Sequence, residues 1–385
     1  MGLATDVSAI TQRAIRDEHV PGASVAIVHD GRVVFVRGYG ERDVERRLPV
    51  DEHTRFMIAS VTKQIVAVDV LRLVERGRLT LDEKIGTFFG PSPAAGVTIA
   101  DLLDQHSGIH DYNSAAVAVP ALLHGNVSPS ALGEAVLARP LGFAPGAQFD
   151  YSNANYLLLG LIDERVTGEP LAQRLAREYF TPLGMHDTAL EPFAPCAGDN
   201  ACGYTKTPLG VRAIPAVPFA FAWSAGGVVS TAADLARWDV ALMSGRLLGP
   251  DMLARMTSSA RDGEYADAAF VYRTTRGRTV AWHDGTIAGF KAMNAITMPE
   301  RDAVVVLANA DYAHAPALAM ELQNALFDEP GGAAEPVDLR LPQYAYPLAL
   351  GGGLLAGLAA LALLRKKTAA VIAAVLVYAL AVFFV

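Results

Sequence analysis

Ser60 and Lys63 lie three residues apart in the stretch Phe56-Met57-Ile58-Ala59-Ser60-Val61-Thr62-Lys63-Gln64. Residues at that spacing share one face of a helix, so the Lys63 amine reaches the Ser60 hydroxyl. A serine is a poor nucleophile until an adjacent base takes its proton. Together the two residues offer attack on a carbonyl carbon, provided the amine is neutral. Burial or a neighbouring cation must then depress an amine pKa that is ordinarily about 10.4. Alone, Ser-x-x-Lys is a weak signal, because both residues are common on solvated helix faces.

Other candidate chemistry is thinner. Ala222-Trp223-Ser224-Ala225-Gly226 loosely mimics a nucleophile elbow, which needs a strand before the serine and a helix after it. Gly226-Gly227 and the β-branched Val228-Val229 argue against that helix. His106 and His110 have metal-ligand spacing, but Gly108 lies between them and the Glu of a His-Glu-x-x-His site is absent. They read as loop histidines, and no metal is expected. Trp223, Trp238 and Trp282 read as core or groove wall. No Gly-rich phosphate loop occurs, so no nucleotide or other cofactor is implied.

The elements that must position Ser60 and Lys63 alternate in type along the chain. Residues 5–18 have the pattern of an amphipathic helix with Val7, Ile10, Ala14 and Ile15 on one side. Residues 23–28 and 33–36 flank His29-Asp30-Gly31-Arg32, a strong hairpin signal. A helical pattern runs from Ser60 to about Glu75. Residues 78–225 contain helical patches broken by Pro and Gly, with few convincing strands. The β signal returns at 270–273 and 279–282 around a Gly277 turn, then at 289–298 and 303–307. A last helix runs from about Ala315 to Phe327. This order predicts an α+β fold in which an antiparallel sheet, built from both chain ends and flanked by N- and C-terminal helices, packs beside a large helical lobe. A groove between sheet and lobe is a usual place for a ligand site.

Two further patches make the Ser-x-x-Lys match specific: Tyr151-Ser152-Asn153, and His283-Asp284-Gly285-Thr286 at the end of an expected strand. In that order the three resemble the motifs of the serine β-lactamase and penicillin-binding protein superfamily, namely Ser-x-x-Lys, Tyr-x-Asn, and Lys-Thr-Gly or His-x-Gly. The likeness is greatest to the class C β-lactamase-related branch, which includes esterases and D-amino-acid peptidases. Leu102-Leu103-Asp104-Gln105-His106-Ser107-Gly108-Ile109 and Ser224-Ala225-Gly226-Gly227-Val228-Val229-Ser230-Thr231 also look like that branch. The resemblance covers roughly residues 8–327.

The resemblance implies roles. Ser60 forms an acyl-enzyme, Lys63 accepts its proton, and Tyr151 relays that proton to the leaving group and later helps activate water. Asn153 hydrogen-bonds Lys63 and the acyl side of the substrate. The N–H groups of Ser60 and Thr286 form an oxyanion hole, and Gly285 lets the strand approach the substrate. His283 stands where many relatives have lysine, and a histidine is largely neutral at pH 7. That favours small esters, amides or peptides over carboxylate-bearing β-lactams. Asp284 adds an acid beside His283 that opposes this neutrality, and the sequence does not decide which effect wins. The reading is a serine hydrolase; the alternative is a penicillin-binding sensor acylated at Ser60 with negligible turnover. The intact Tyr151 favours turnover.

Composition bounds the rest. The 385 residues are 52% hydrophobic with a formal net charge of −8 and no basic stripe, so a nucleic-acid partner is not expected. A Pro/Gly-rich linker at 328–346 follows the catalytic domain at 1–327. Pro347 to Leu364 and Thr368 to Val385 are uncharged and flank Arg365-Lys366-Lys367. At about 1.5 Å per residue each run spans roughly 27 Å, close to the thickness of a hydrocarbon core. They are expected to form a two-helix membrane hairpin, with its cations cytoplasmic and the catalytic domain on the extracytoplasmic side of the cell membrane. The first residues have no basic-then-apolar export signal, so either the natural N-terminus has been removed or misplaced, which is the favoured expectation, or the domain stays cytoplasmic against the charge rule. Cys196 and Cys202 are close enough to close a small loop by disulfide, and two buried free thiols would be equally ordinary.

Overall fold

The computed structural model describes residues 3–327, apart from 114–127, 208–209, 259–260, 262–264 and 275. The N-terminal helix α1 (Leu3–Glu18) leads into β1 (Gly22–His29) and β2 (Arg32–Asp43), followed by the short strands β3 (Leu48–Pro49) and β4 (Phe56–Met57). Asp30 and Gly31 both take positive φ, 49° and 71°, as a tight hairpin turn requires. After a 3₁₀ turn at Ala59–Val61 comes α2 (Thr62–Glu75). The chain then runs through short helices to α3 (Asn153–Thr167), which ends at Gly168 in the left-handed region.

Three short strands follow: β5 (Ala189–Leu190), β6 (Gly203–Thr207) and β7 (Gly210–Ile214). Next come a kinked helix at Phe219–Gly226, β8 (Val228–Ser230) and α4 (Ala232–Met243). The C-terminal strands are β9 (Tyr265–Ala266), β10 (Ala269–Arg273), β11 (Thr279–Ile287), β12 (Phe290–Met298) and β13 (Asp302–Ala308), and α5 (Ala315–Phe327) closes the described chain.

The main sheet has the order β3-β2-β1-β13-β12-β11-β10-β9. The two chain ends meet in the middle, where β1 pairs antiparallel with β13 and Ala26 lies opposite Val305. Strand alternation sends Val25 and Ile27 to one face and Ala26 and Val28 to the other. The first face packs with Val304, Val306, Trp282 and Met293 under α1 and α5, with Val7, Leu318 and Leu322 as the helical contribution. The second face packs against α2, α3 and α4 through residues such as Ile65, Val68, Leu158 and Leu235. A sheet buried on both faces explains why β13 is continuously apolar from Ala303 to Ala308 rather than alternating.

The α+β fold, the helical lobe and the sheet from both ends agree with the reading from sequence. The lobe also contains strand that its pattern did not advertise. β6 and β7 form a ribbon, and most of β7 is exposed, so it carries no buried alternation to read. β5 is two residues long and pairs with β8. The expected membrane hairpin is corrected. Among the described residues no helix is long and apolar enough to cross a membrane. The longest, α1, has 16 residues, about 24 Å at 1.5 Å per residue, and a charged face. The segments 347–364 and 368–385, and the linker at 328–346, lie outside the described residues. Cys196 and Cys202 are joined as a disulfide with Cα atoms 4.4 Å apart.

Candidate active site

Ser60 sits in the 3₁₀ turn that enters α2, so Lys63 follows in the first turn of the α-helix. The residue before the nucleophile, Ala59, has φ of +47°. A left-handed alanine costs of order 1–3 kcal/mol and persists where surrounding structure imposes it. Here β4 pairs with β8 on one side and β11 presses on the other. A Cβ added to Gly285 would lie 2.3 Å from the Ile58 carbonyl oxygen and 3.1 Å from the Ser60 nitrogen. Only glycine permits that approach, which brings the strand carrying Thr286 against the Ser60 backbone.

Lys63 is fully buried. Its Nζ lies 3.0 Å from Ser60 Oγ, 2.8 Å from Asn153 Oδ1 and 2.7 Å from the Ala225 carbonyl oxygen. Burial lowers its pKa to about 7, against the opposing fields of Asp111 and Asp284. Much of the amine is therefore neutral at pH 7. A neutral amine has two N–H groups and one lone pair. The Asn153 and Ala225 oxygens can only accept, so they take both N–H groups. The lone pair is left facing Ser60 Oγ, whose O–H then donates to it. This is the geometry a general base needs.

Tyr151 stands on the other side of the nucleophile, hydrogen-bonded to Ser60, with Lys63 Nζ 5.0 Å from its ring centre. Burial raises its pKa well above 10, with Tyr265 adding to the effect. The phenol thus stays protonated at neutral pH and can pass a proton rather than act as a standing phenolate. Its oxygen is 3.5 Å from His283 Nε2, and Tyr265 Oη is 3.3 Å from the same nitrogen.

His283 Nδ1 lies 2.5 Å from the Asp284 backbone carbonyl oxygen, an acceptor, so Nδ1 carries the proton and Nε2 is an acceptor for the phenols. Burial, then the Lys63 charge, lowers the His283 pKa to about 4. The sequence left open whether Asp284 overrides the ordinary neutrality of this histidine; burial outweighs Asp284 and keeps it neutral. The Asp284 carboxylate accepts instead from Lys291 Nζ at 2.6 Å, and that amine also donates to Thr286 Oγ1 at 2.6 Å.

All seven residues singled out from sequence, Ser60, Lys63, Tyr151, Asn153, His283, Gly285 and Thr286, thus meet in one region. Four participants were not foreseen. The Ala225 carbonyl has no side-chain signature, although Ser224-Ala225-Gly226-Gly227 had been noted as a motif. Asp111, two residues beyond another noted motif, accepts from Asn153 Nδ2 at 2.9 Å. Lys291 becomes visible only through the register that sets it opposite Thr286. Tyr265 comes from β9, a two-residue strand at the sheet edge. Ser224 Oγ is buried and donates to the Tyr156 carbonyl, and His106 is buried with Nδ1 on the Asp104 carbonyl.

A family model described as Beta-lactamase matches residues 7–328. The chain is 27% identical to protein flp of Staphylococcus aureus (strain MW2) over 337 residues, covering 82% of this chain and 65% of that protein. It is 28% identical to a D-aminopeptidase of Gluconobacter oxydans (strain 621H), covering 75% of this chain and 56% of the relative. The chain therefore spans about two thirds or less of the length of these curated relatives. Among solved structures it is similar to an octameric penicillin-binding protein homologue from Pyrococcus abyssi, with a TM-score of 0.74 and 25% identity over 90% of this chain and 81% of that one. With the Ser60, Lys63 and Tyr151 geometry in place, these matches lead to one statement of kinship: the chain belongs to the Beta-lactamase family, within the serine β-lactamase and penicillin-binding protein superfamily.

Proposed function

We propose that this protein is a serine hydrolase that cleaves small esters, amides or peptides through an acyl-enzyme on Ser60. The observation that carries the reading is the placement of Lys63 Nζ 3.0 Å from Ser60 Oγ and within reach of two carbonyl oxygens, so that a neutral amine gives its N–H groups to those oxygens and its lone pair to Ser60. Lys63 takes the Ser60 proton as Oγ attacks the carbonyl carbon. The N–H groups of Ser60 and Thr286 stabilise the oxyanion, a contribution of about 2.7–4 kcal/mol per donor in comparable sites. Tyr151 gives its proton to the leaving group and recovers the one that Lys63 took, which restores the neutral amine and the phenol. Water then repeats the sequence on the acyl-enzyme.

Charge around the site favours acyl groups without a carboxylate. His283 is neutral, and the Lys291 cation is bound to Asp284. The carboxylates of Asp111 and Asp284 both act on Lys63 and Tyr151. Such a field repels an anionic substrate and accepts a neutral or amine-bearing one. The similarity to a D-aminopeptidase supports an amine-bearing amide as one such substrate. The Cys196–Cys202 disulfide supports an oxidising, extracytoplasmic place of work.

The test is a panel of matched amides and esters whose acyl groups are neutral, amine-bearing or carboxylate-bearing, assayed with the full chain and with Ser60→Ala. Ser60-dependent turnover with the carboxylate members slowest supports the reading. Equal rates for Ser60→Ala would overturn it.

A further inference from the structure

We propose that Asp111 is a positioning residue: it locks the Asn153 amide so that Oδ1 faces Lys63, and thereby aims the Lys63 lone pair at Ser60. The inference rests on the reading of Lys63 as the base for Ser60.

An amide can present either end to a neighbour, and Lys63 needs the oxygen. If Asn153 turned over, its NH₂ group would face Nζ, and one Lys63 N–H would lose its acceptor. That hydrogen would then be free to point at Ser60 Oγ, with the lone pair elsewhere. Asn153 is held against this by Asp111, because an ionised carboxylate only accepts. Asp111 Oδ2 lies 2.9 Å from Asn153 Nδ2 and 3.4 Å from the Asn153 backbone nitrogen. The same oxygen thus receives the first N–H of α3, whose N-cap Ser152 makes no side-chain cap bond. The other carboxylate oxygen, Oδ1, accepts from the Asn113 backbone N–H at 2.8 Å, which fixes the Asp111 side chain in its own loop. The chain from Asp111 through Asn153 and Lys63 to Ser60 has donor and acceptor assigned at every step.

Asp111 also acts through space. Its charge raises the Lys63 pKa, as does that of Asp284, while burial lowers it. The other titratable groups facing Lys63 are Tyr151 and Tyr156, whose rings lie 5.0 and 5.7 Å from Nζ, and the neutral His283. Asp150 lies within the field of Asp111 and away from this chain of hydrogen bonds. Two variants separate the electrostatic from the positional effect. Asp111→Asn removes the charge and keeps an acceptor for Asn153 Nδ2. Asp111→Ala removes both.

The experiment measures kcat/KM against pH for an activated ester, and the Lys63 titration by NMR of ¹³C-lysine-labelled protein, in the full chain and both variants. Both variants are expected to titrate Lys63 at lower pH and to carry the acid limb down with it. Asp111→Ala should also lose about ten- to a hundredfold of the alkaline plateau, the cost of a misaimed group, and Asp111→Asn distinctly less. An unchanged Lys63 titration in Asp111→Asn would overturn the inference, and so would a wild-type plateau in a folded Asp111→Ala. The NMR arm needs no turnover. A parent chain that lacks Ser60-dependent hydrolysis would refute the hydrolase reading, while the Lys63 titration still judges Asp111.

Discussion

Gly285 and Ile58 approach so closely that the Cβ which Gly285 lacks would sit 2.3 Å from the Ile58 carbonyl oxygen. Neither atom can yield alone, because Ile58 leads into the nucleophile turn and Gly285 lies within the β11–β12 ladder. Gly285→Ala must therefore push strand and turn apart and open the space between the Ser60 and Thr286 N–H groups. We expect kcat to fall by about 10²-fold or more, the scale of losing one oxyanion donor, in a protein that still folds. Steady-state kinetics beside a thermal melt check this. A change within twofold would mean that the hole does not use this contact.

Lys63 must be neutral to accept a proton, and its pKa is about 7. Its neutral fraction falls as pH drops through that value. The expected kcat/KM profile therefore rises with pH, is half-maximal near pH 7, and falls about tenfold per unit well below it. His283 does not set this limb, since its pKa is near 4. His283→Asn should lower the rate while leaving the midpoint in place to a first approximation. A limb that vanished in His283→Asn would transfer the base role to the histidine.

A second pH effect belongs to stability. Asp163 and Asp69 are both fully buried beside Arg174, whose Nε and Nη2 bind the two Asp69 oxygens at 2.8 and 3.0 Å. Burial, then the Asp69 charge, raises Asp163 well above the usual carboxylate range. The folded state therefore holds a proton here that the unfolded chain releases near pH 3.8. By linkage this stabilisation is complete in acid and declines as pH climbs from that value toward the raised folded pKa. Asp163→Asn makes no such demand for a proton. Its Tm should fall less steeply than the parent's between pH 5 and 9, with a few degrees between them at the alkaline end. Parallel Tm curves would contradict a proton held by Asp163 in the folded state.

Much of this was legible in the chain. Asp30-Gly31 marked the first hairpin, since both residues tolerate positive φ, and the apolar run at 303–307 marked a strand. Ser60 and Lys63 stood out by their helical spacing, and Tyr151 and the 283–286 segment by their likeness to the motifs of the serine β-lactamase and penicillin-binding protein superfamily. The Ala225 carbonyl and the Asp111–Asn153 contact left no such mark. A backbone oxygen has no letter of its own, and an acid next to the commoner motif residues reads as a solvated loop charge until α3 is placed against it. The membrane hairpin shows the opposite error. Absence of charge over 18 residues suggests a span but does not establish one; no described helix is long and apolar enough to cross a membrane, and 347–364 and 368–385 lie outside the described residues. His283 fell between the two cases. The sequence left its charge undecided between an ordinary neutral imidazole and the pull of Asp284, and its tautomer depended on the carbonyl of Asp284.

The most direct test of the central claim is intact-protein mass against time after mixing the full chain with an activated short-chain ester, and separately with a penicillin. The account predicts an ester adduct on Ser60 that forms and decays while many equivalents are hydrolysed, none of it with Ser60→Ala, and slower reaction with the carboxylate-bearing penicillin. A persistent one-to-one adduct with both reagents would contradict turnover and favour an acylated sensor. An adduct that survives Ser60→Ala would contradict the nucleophile itself.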